Sequence, residues 1–207
     1  MRPFLRSIEA EDVVQVAPGA VAVAIAGFVF LFGASTWAPG GSIHENVETL
    51  GITLIAVHAV GRAWCWGYAH PINQSALITT GPYSLCRNPQ DLFLIIGGIG
   101  IGALLGSITS AFAGGLALWG IACLRIIEEE RRLRASYGDR FQTYRKRVPK
   151  FIPDPSLWQR PDAALFRKKS LFIGILKAWP LASAIFAEKL VEKLHILHKV
   201  PVLFHLP

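Results

Sequence analysis

The sequence predicts an all-α fold: a polytopic membrane helix bundle of four or five spans, with a helical hairpin leading into a cytoplasmic helix. Three observations carry this. Only 17% of the 207 residues are charged, while 52% are apolar and the mean hydropathy is +0.41. Soluble domains carry about 25% charged residues. The deficit is concentrated, because Leu92–Leu124 contains no charged side chain. The basic residues are lopsided too: thirteen of 21 Lys and Arg fall between Arg125 and Lys169, and the Pro39–Leu50 loop has none. Basic loops stay cytoplasmic, so the first segment is expected inside and the second outside. The length suits one domain, residues 1–207.

The elements follow in order. Met1–Val16 is a polar lead-in, and the first apolar run extends from Ala17 to Trp37. That run is too long for a cleaved signal and reaches the ~20 residues that a span needs. Ala38-Pro39-Gly40-Gly41-Ser42 breaks it. Val47–Tyr68 is a second span containing His58 and Arg62. Ionisable groups at this depth usually face the bundle interior. Arg62 therefore either lines a cavity or snorkels to the cytoplasmic interface. Ala69–Gln90 is too polar to cross. Asp91–Leu105 and Ile108–Ile127 form a hairpin turning at Gly106-Ser107, its dense glycines allowing helices to approach closely. From Arg125 the helix leaves the membrane, with Leu133, Tyr137, Phe141 and Tyr144 on one face. Val148–Pro161 is Pro-punctuated coil. Leu171–Ala187, broken by Lys177 and Pro180, is a span, a re-entrant segment or an interfacial helix. Glu188–Lys199 has an interfacial pattern, and the apolar tail Val200–Pro207 is expected to pack on the bundle.

Several functions are disfavoured. The charge of +7 follows membrane topology and fits anionic lipid headgroups, with no nucleic-acid motif beside it. Cys65, Cys86 and Cys123 are odd in number and widely spaced, and no histidine pair has convincing metal-ligand spacing. No dinucleotide fingerprint, P-loop, zinc-protease motif or nucleophile elbow occurs.

Two stretches could carry chemistry. The Gly81-Pro82-Tyr83 and Arg87-Asn88-Pro89 turns leave backbone amides and Asn88 able to bind polar atoms. Arg125 and Glu129 are i and i+4 on one helix face. They form either an ordinary surface ion pair, or a site in which Glu129 meets a cationic or polyhydroxyl ligand and Arg125 an anionic one.

Leu77-Ile78-Thr79-Thr80-Gly81-Pro82-Tyr83, Arg87-Asn88-Pro89, the hairpin, Arg125-x-x-x-Glu129-Glu130-x-x-Leu133-x-x-x-Tyr137-Gly138, Tyr144 and Val148-Pro149 together resemble the isoprenylcysteine carboxyl methyltransferase family. That family belongs with the phospholipid N-methyltransferases among membrane methyltransferases. The match covers Leu77–Pro153, and the C-terminal part from Leu194-His195 to Leu203-Phe204-His205-Leu206-Pro207, within the apolar and interfacial segment 170–207, is similar to that of a bacterial branch. The resemblance implies S-adenosylmethionine as cofactor, no metal, and a lipophilic acceptor entering from the bilayer. It implies that Leu77, Ile78 and Tyr83 line the adenosine region, with Gly81 and Arg87 of the same loop also binding the cofactor. Asn88, Pro89, Gln90 and Asp91 would cover the amino-acid end and the ribose. Glu129 would bind the cofactor, and Arg125 would orient the acceptor. The chain departs from the family where His, Tyr and Gly are usual and Asn88, Asp91 and Phe93 stand. The expected function is methyl transfer at the cytoplasmic face of a bacterial inner membrane. The leading acceptor is a carboxylate on a prenylated or lipid-like molecule. The alternatives are a phospholipid amine, an NADPH-dependent sterol-type reductase and a non-catalytic scaffold. Bound NADPH would want an arginine for its 2′-phosphate rather than a Glu-rich helix.

Overall fold

The computed structural model describes residues 27–37, 41–68, 77–160 and 168–207. Most of the first expected span therefore lies outside the described residues. Its described end is helical over residues 27–32 and then turns extended as β1 (Gly33–Ser35), so the helix stops short of Trp37. The rest is mostly helical. α1 is Ser42–Tyr68, α2 Pro82–Leu85, α3 Pro89–Ala103 and α4 Ile108–Tyr137. A one-turn 3₁₀ segment, Pro155–Leu157, follows α5 (Asp139–Arg147). α6 (Lys168–Ala182), α7 (Ala184–Ile196) and β2 (Phe204–Leu206) complete the chain.

The helices lie side by side in the order α6, α1, α3, α4. Missing side chains set the spacing. A Cβ on Gly98 of α3 would meet the carbonyl oxygen of Gly114 in α4 at 2.6 Å, and one on Gly51 of α1 would meet that of Gly100 in α3 at 2.8 Å. The hairpin glycines thus serve helix packing, as small residues do in membranes. Gly51 faces Gly100 while Gly61 faces Phe93, so α1 and α3 are antiparallel. Gly174 of α6 sits on Ala63 and Trp66 of α1. The Tyr68, Pro89 and Lys168 ends are thereby gathered at one end of the bundle.

At the opposite end the tail closes the structure. β2 pairs in parallel with β1, and the Pro207 carbonyl accepts from Ser107 Oγ at 2.8 Å and Thr109 N at 3.0 Å. The expected packing of Val200–Pro207 on the bundle is thus met.

Among the described residues, two stretches are long and apolar enough to cross a membrane, Ile108–Tyr137 and Lys168–Ile196; Pro89–Ala103 is shorter. Their apolar faces point outward: Phe112 is 77% exposed, with Leu116 and Trp119 following on the same face of α4. A bilayer covers such a stripe, whereas water would not tolerate it. Leu171–Ala187 falls in α6, which runs through Pro180, and in the start of α7 after Ser183. Lys177 is accommodated over the Trp66 ring at 4.1 Å. Within Glu188–Lys199, Glu188 and Val191 are buried against the bundle and Lys189 reaches Glu48 at 2.7 Å.

One expected helix is two. The Leu133–Tyr144 face is interrupted at Gly138, whose φ of 50° belongs to the left-handed region that favours glycine. The face survives the break: Leu133, Tyr137, Phe141, Tyr144 and Val148 still share one cluster, joined by Leu77.

Candidate functional site

The site is built on the loop before α3. Gly81 takes φ 62° and its amide donates to the Gln159 carbonyl at 3.0 Å. Ser84 Oγ donates to the Gly81 carbonyl and accepts from Gln159 N. The Arg87 amide donates to the Pro149 carbonyl at 2.8 Å, and Asn88 Nδ2 to the Lys150 carbonyl at 3.1 Å. Tyr144 hydroxyl donates to the Tyr83 carbonyl at 2.7 Å. The coil after α5 therefore wraps the loop and holds it against the helix end. Its prolines mark it as irregular, but nothing in a single sequence announces this partner.

Arg87 is the centre of that clamp. Its guanidinium pairs with Glu130 of α4 at 3.3 Å and donates to the Arg145 carbonyl of α5 at 2.8 Å, while Arg145 itself lies 3.7 Å from Glu130. Arg87, Asn88 and Glu130 are thus occupied with joining three elements, and sequence reasoning missed the structural part of Glu130 and Arg145. Leu77 joins the Phe141–Tyr144–Val148 cluster, Ile78 is half-buried, and Pro89 is the first residue of α3.

A second set of residues is not consumed this way. Asp91, in the first turn of α3, is buried, and its carboxylate pairs with Arg125 of α4 at 3.3 Å. The Asp91 side chain is 4% exposed against 49% for Arg125. Arg125 therefore pairs across helices rather than with Glu129 one turn ahead. Glu129 is exposed and has no ion-pair partner within 4.0 Å among the described residues. It still lies in electrostatic reach of Asp91 and Arg125. Arg62, from α1, is close enough to feel Asp91, Arg125 and Tyr83. Arg62, Tyr83, Asp91, Arg125 and Glu129 thus form one polar cluster where α1, α3 and α4 meet the loop.

Tyr83 is fixed from both sides. Gln90 Nε2 donates to its hydroxyl at 2.7 Å, and that hydroxyl reaches the Cys65 carbonyl at 3.5 Å. Burial pushes the phenols of Tyr83 and Tyr144 well up, and the Cys86 thiol to about 11, so all three are neutral near pH 7. The divergent Phe93 packs against α1. Its ring fills the space a Cβ on Gly61 would need, and its carbonyl lies 2.8 Å from His58 Nδ1.

The donor set fits a cationic cofactor. Glu129 offers an uncommitted carboxylate beside a neutral phenol, and Glu130 next to it is spent on the clamp.

Comparison with known proteins follows the same lines. Residues 48–140 match the family model of phospholipid methyltransferases. The chain is 37% identical to the cobalt-zinc-cadmium resistance protein CzcN of Cupriavidus metallidurans, over 62% of this chain and 59% of that protein. It is 32% identical to the nickel-cobalt-cadmium resistance protein NccN of Alcaligenes xylosoxydans xylosoxydans, over 70% and 67%. It is 38% identical to the protein-S-isoprenylcysteine O-methyltransferase of Schizosaccharomyces pombe, over 37% and 33%. The match thus spans less than two thirds of CzcN. No solved structure matches the chain.

Proposed function

The chain belongs to the family of membrane methyltransferases that takes in the phospholipid methyltransferases and the isoprenylcysteine O-methyltransferases, and from that premise we propose that it methylates a lipophilic acceptor at the cytoplasmic face of a bacterial inner membrane. S-adenosylmethionine, when bound, supplies a methyl group on a sulfonium. The chain supplies position and charge. The observation that carries this reading is the uncommitted Glu129 carboxylate beside the Asp91–Arg125 pair, at the loop that Arg87 holds in place. Glu129 answers the cofactor's positive charge. Tyr83, kept neutral, and Gln90 shape the wall beside it. The residues that clamp the loop keep this geometry, and positioning supplies most of the rate in a direct displacement. The acceptor is a carboxylate on a prenylated or lipid-like tail. The reading takes the bundle to have four or five spans, with the clamped loop inside.

The test is S-adenosylmethionine binding to detergent-solubilised protein by calorimetry. Glu129→Gln should weaken it about tenfold or more, the scale of a lost charge-assisted contact. A well-folded protein that does not bind would sink the reading.

A second reading, a non-catalytic membrane component of metal resistance, is favoured by CzcN and NccN being resistance proteins. It expects no cofactor binding, and resistance that is indifferent to Glu129→Gln.

A further inference from the structure

Arg62 lies nearly two turns before the Tyr68 end of α1, about 9 Å along the axis at 1.5 Å per residue. A snorkelling arginine keeps its head group in water. Arg62 does so only in part, since the residue is half-buried. Its Nε is buried with no hydrogen-bond partner, and among the described residues no carboxylate lies within 4.0 Å of its guanidinium. Asp91, the nearby acid best placed to neutralise it, is committed to Arg125 at 3.3 Å. A half-buried cation without a partner is unfavourable and calls for an anion.

The charges of the cluster point the same way. Arg62 and Arg125 balance Asp91 and Glu129. S-adenosylmethionine, with a sulfonium, an ammonium and a carboxylate, would add one net positive charge. An anionic acceptor restores neutrality, whereas an amine does not.

We propose that Arg62 is the residue that receives the methyl acceptor, gripping a carboxylate on a lipophilic tail that lies in the inner leaflet. This rests on the methyltransferase reading and assigns the acceptor's anchor to α1, while Asp91 holds Arg125 in place. Guanidinium and carboxylate match in geometry and form two parallel hydrogen bonds. In the transfer, a carboxylate oxygen forms the new C–O bond as the S–CH3 bond breaks, the bonding pair going to sulfur. No proton is released. The product ester is neutral, so Arg62 loses its counter-charge and the product leaves.

The experiment reads anion selectivity apart from turnover. The protein is placed in nanodiscs with spin-labelled stearate, its methyl ester or spin-labelled phosphatidic acid at alkaline pH, and the motionally restricted fraction is measured. S-adenosylmethionine binding is measured in the same samples. Wild type should prefer stearate over the ester about tenfold. Arg62→Gln should bring stearate down to the ester's level while S-adenosylmethionine still binds, which shows that the variant is folded. Arg62→Lys should keep part of the preference. Equal retention of acid and ester by wild type overturns the proposal, as does a preference that survives Arg62→Gln. Stronger retention of phosphatidic acid overturns the carboxylate and assigns the site to lipid phosphate. An Arg62-dependent stearate preference without any S-adenosylmethionine binding overturns the methyl-accepting role and, separately, the methyltransferase reading.

Discussion

Asp91 and Arg125 meet at 3.3 Å across α3 and α4, although Arg125 has Glu129 one turn ahead on its own helix. The buried carboxylate outcompetes the exposed one because leaving it unpaired costs more than leaving Glu129 in water. The pair therefore frees Glu129. Asp91→Asn should release Arg125 toward Glu129 and lower S-adenosylmethionine affinity several-fold, even though the substitution barely changes the shape of the side chain. A double-mutant cycle with Arg125→Gln, read by thermal melting, should give a coupling of about 0.5–3 kcal/mol. Additive effects would remove the pair from the account.

The two adjacent glutamates should separate cleanly. Glu130→Gln breaks the clamp to Arg87 and Arg145, side chains that are largely shielded at the Arg87 end. It should cost about 1–3 kcal/mol of stability. Glu129→Gln touches no ion pair and should change stability by less than about 0.5 kcal/mol, while weakening cofactor binding. Melting curves and calorimetry on the two variants check this; a destabilised Glu129→Gln protein would contradict it.

These two results also mark what the sequence could reveal. Hydropathy located α1, α3 and the membrane part of α4 to within about five residues; the charge-free run Leu92–Leu124 leaves little alternative for α3 and α4, while α1 stood out despite Glu48 and Arg62. It could not reveal that Arg87 reaches Glu130 or that Asp91 takes Arg125, since both pairs join elements far apart in sequence and only packing decides them. Of the two readings the i,i+4 spacing of Arg125 and Glu129 allowed, the ion pair between them is not formed, because Arg125 turns to Asp91. The Leu133–Tyr144 periodicity was right about the face and blind to the break at Gly138, because a backbone turn there keeps the side chains in register.

Cys86 offers a pH test. Burial raises its thiol from the ordinary 9.0 to about 11, so between those values the unfolded chain ionises and the folded one does not. Ionisation thus favours unfolding as pH rises through that window, and the group adds no pH dependence below it. The native thiol should resist iodoacetamide up to about pH 9 and react promptly after denaturation, since thiolate is the nucleophile. Mass mapping of the labelled peptide reads the outcome. Rapid native labelling at neutral pH would show an exposed or activated Cys86.

Phe93 and Gly61 form a matched pair, the ring standing where a side chain on α1 would be. Gly61→Ala should overpack this contact and cost about 1–3 kcal/mol. Phe93→Ala alone leaves a cavity and should also destabilise. Combined, the new methyl group enters the space the ring has left, so the double variant should be more stable than the sum of the two losses. Because Phe93 faces α1 rather than the Asp91–Arg125–Glu129 cluster, each single variant that remains folded should bind S-adenosylmethionine within about twofold of wild type, a difference of only ~0.4 kcal/mol. Strict additivity in melting would show that the ring does not fill the Gly61 notch. A tenfold loss of cofactor affinity in folded Phe93→Ala would instead place the ring at the cofactor, where the family's usual glycine leaves room.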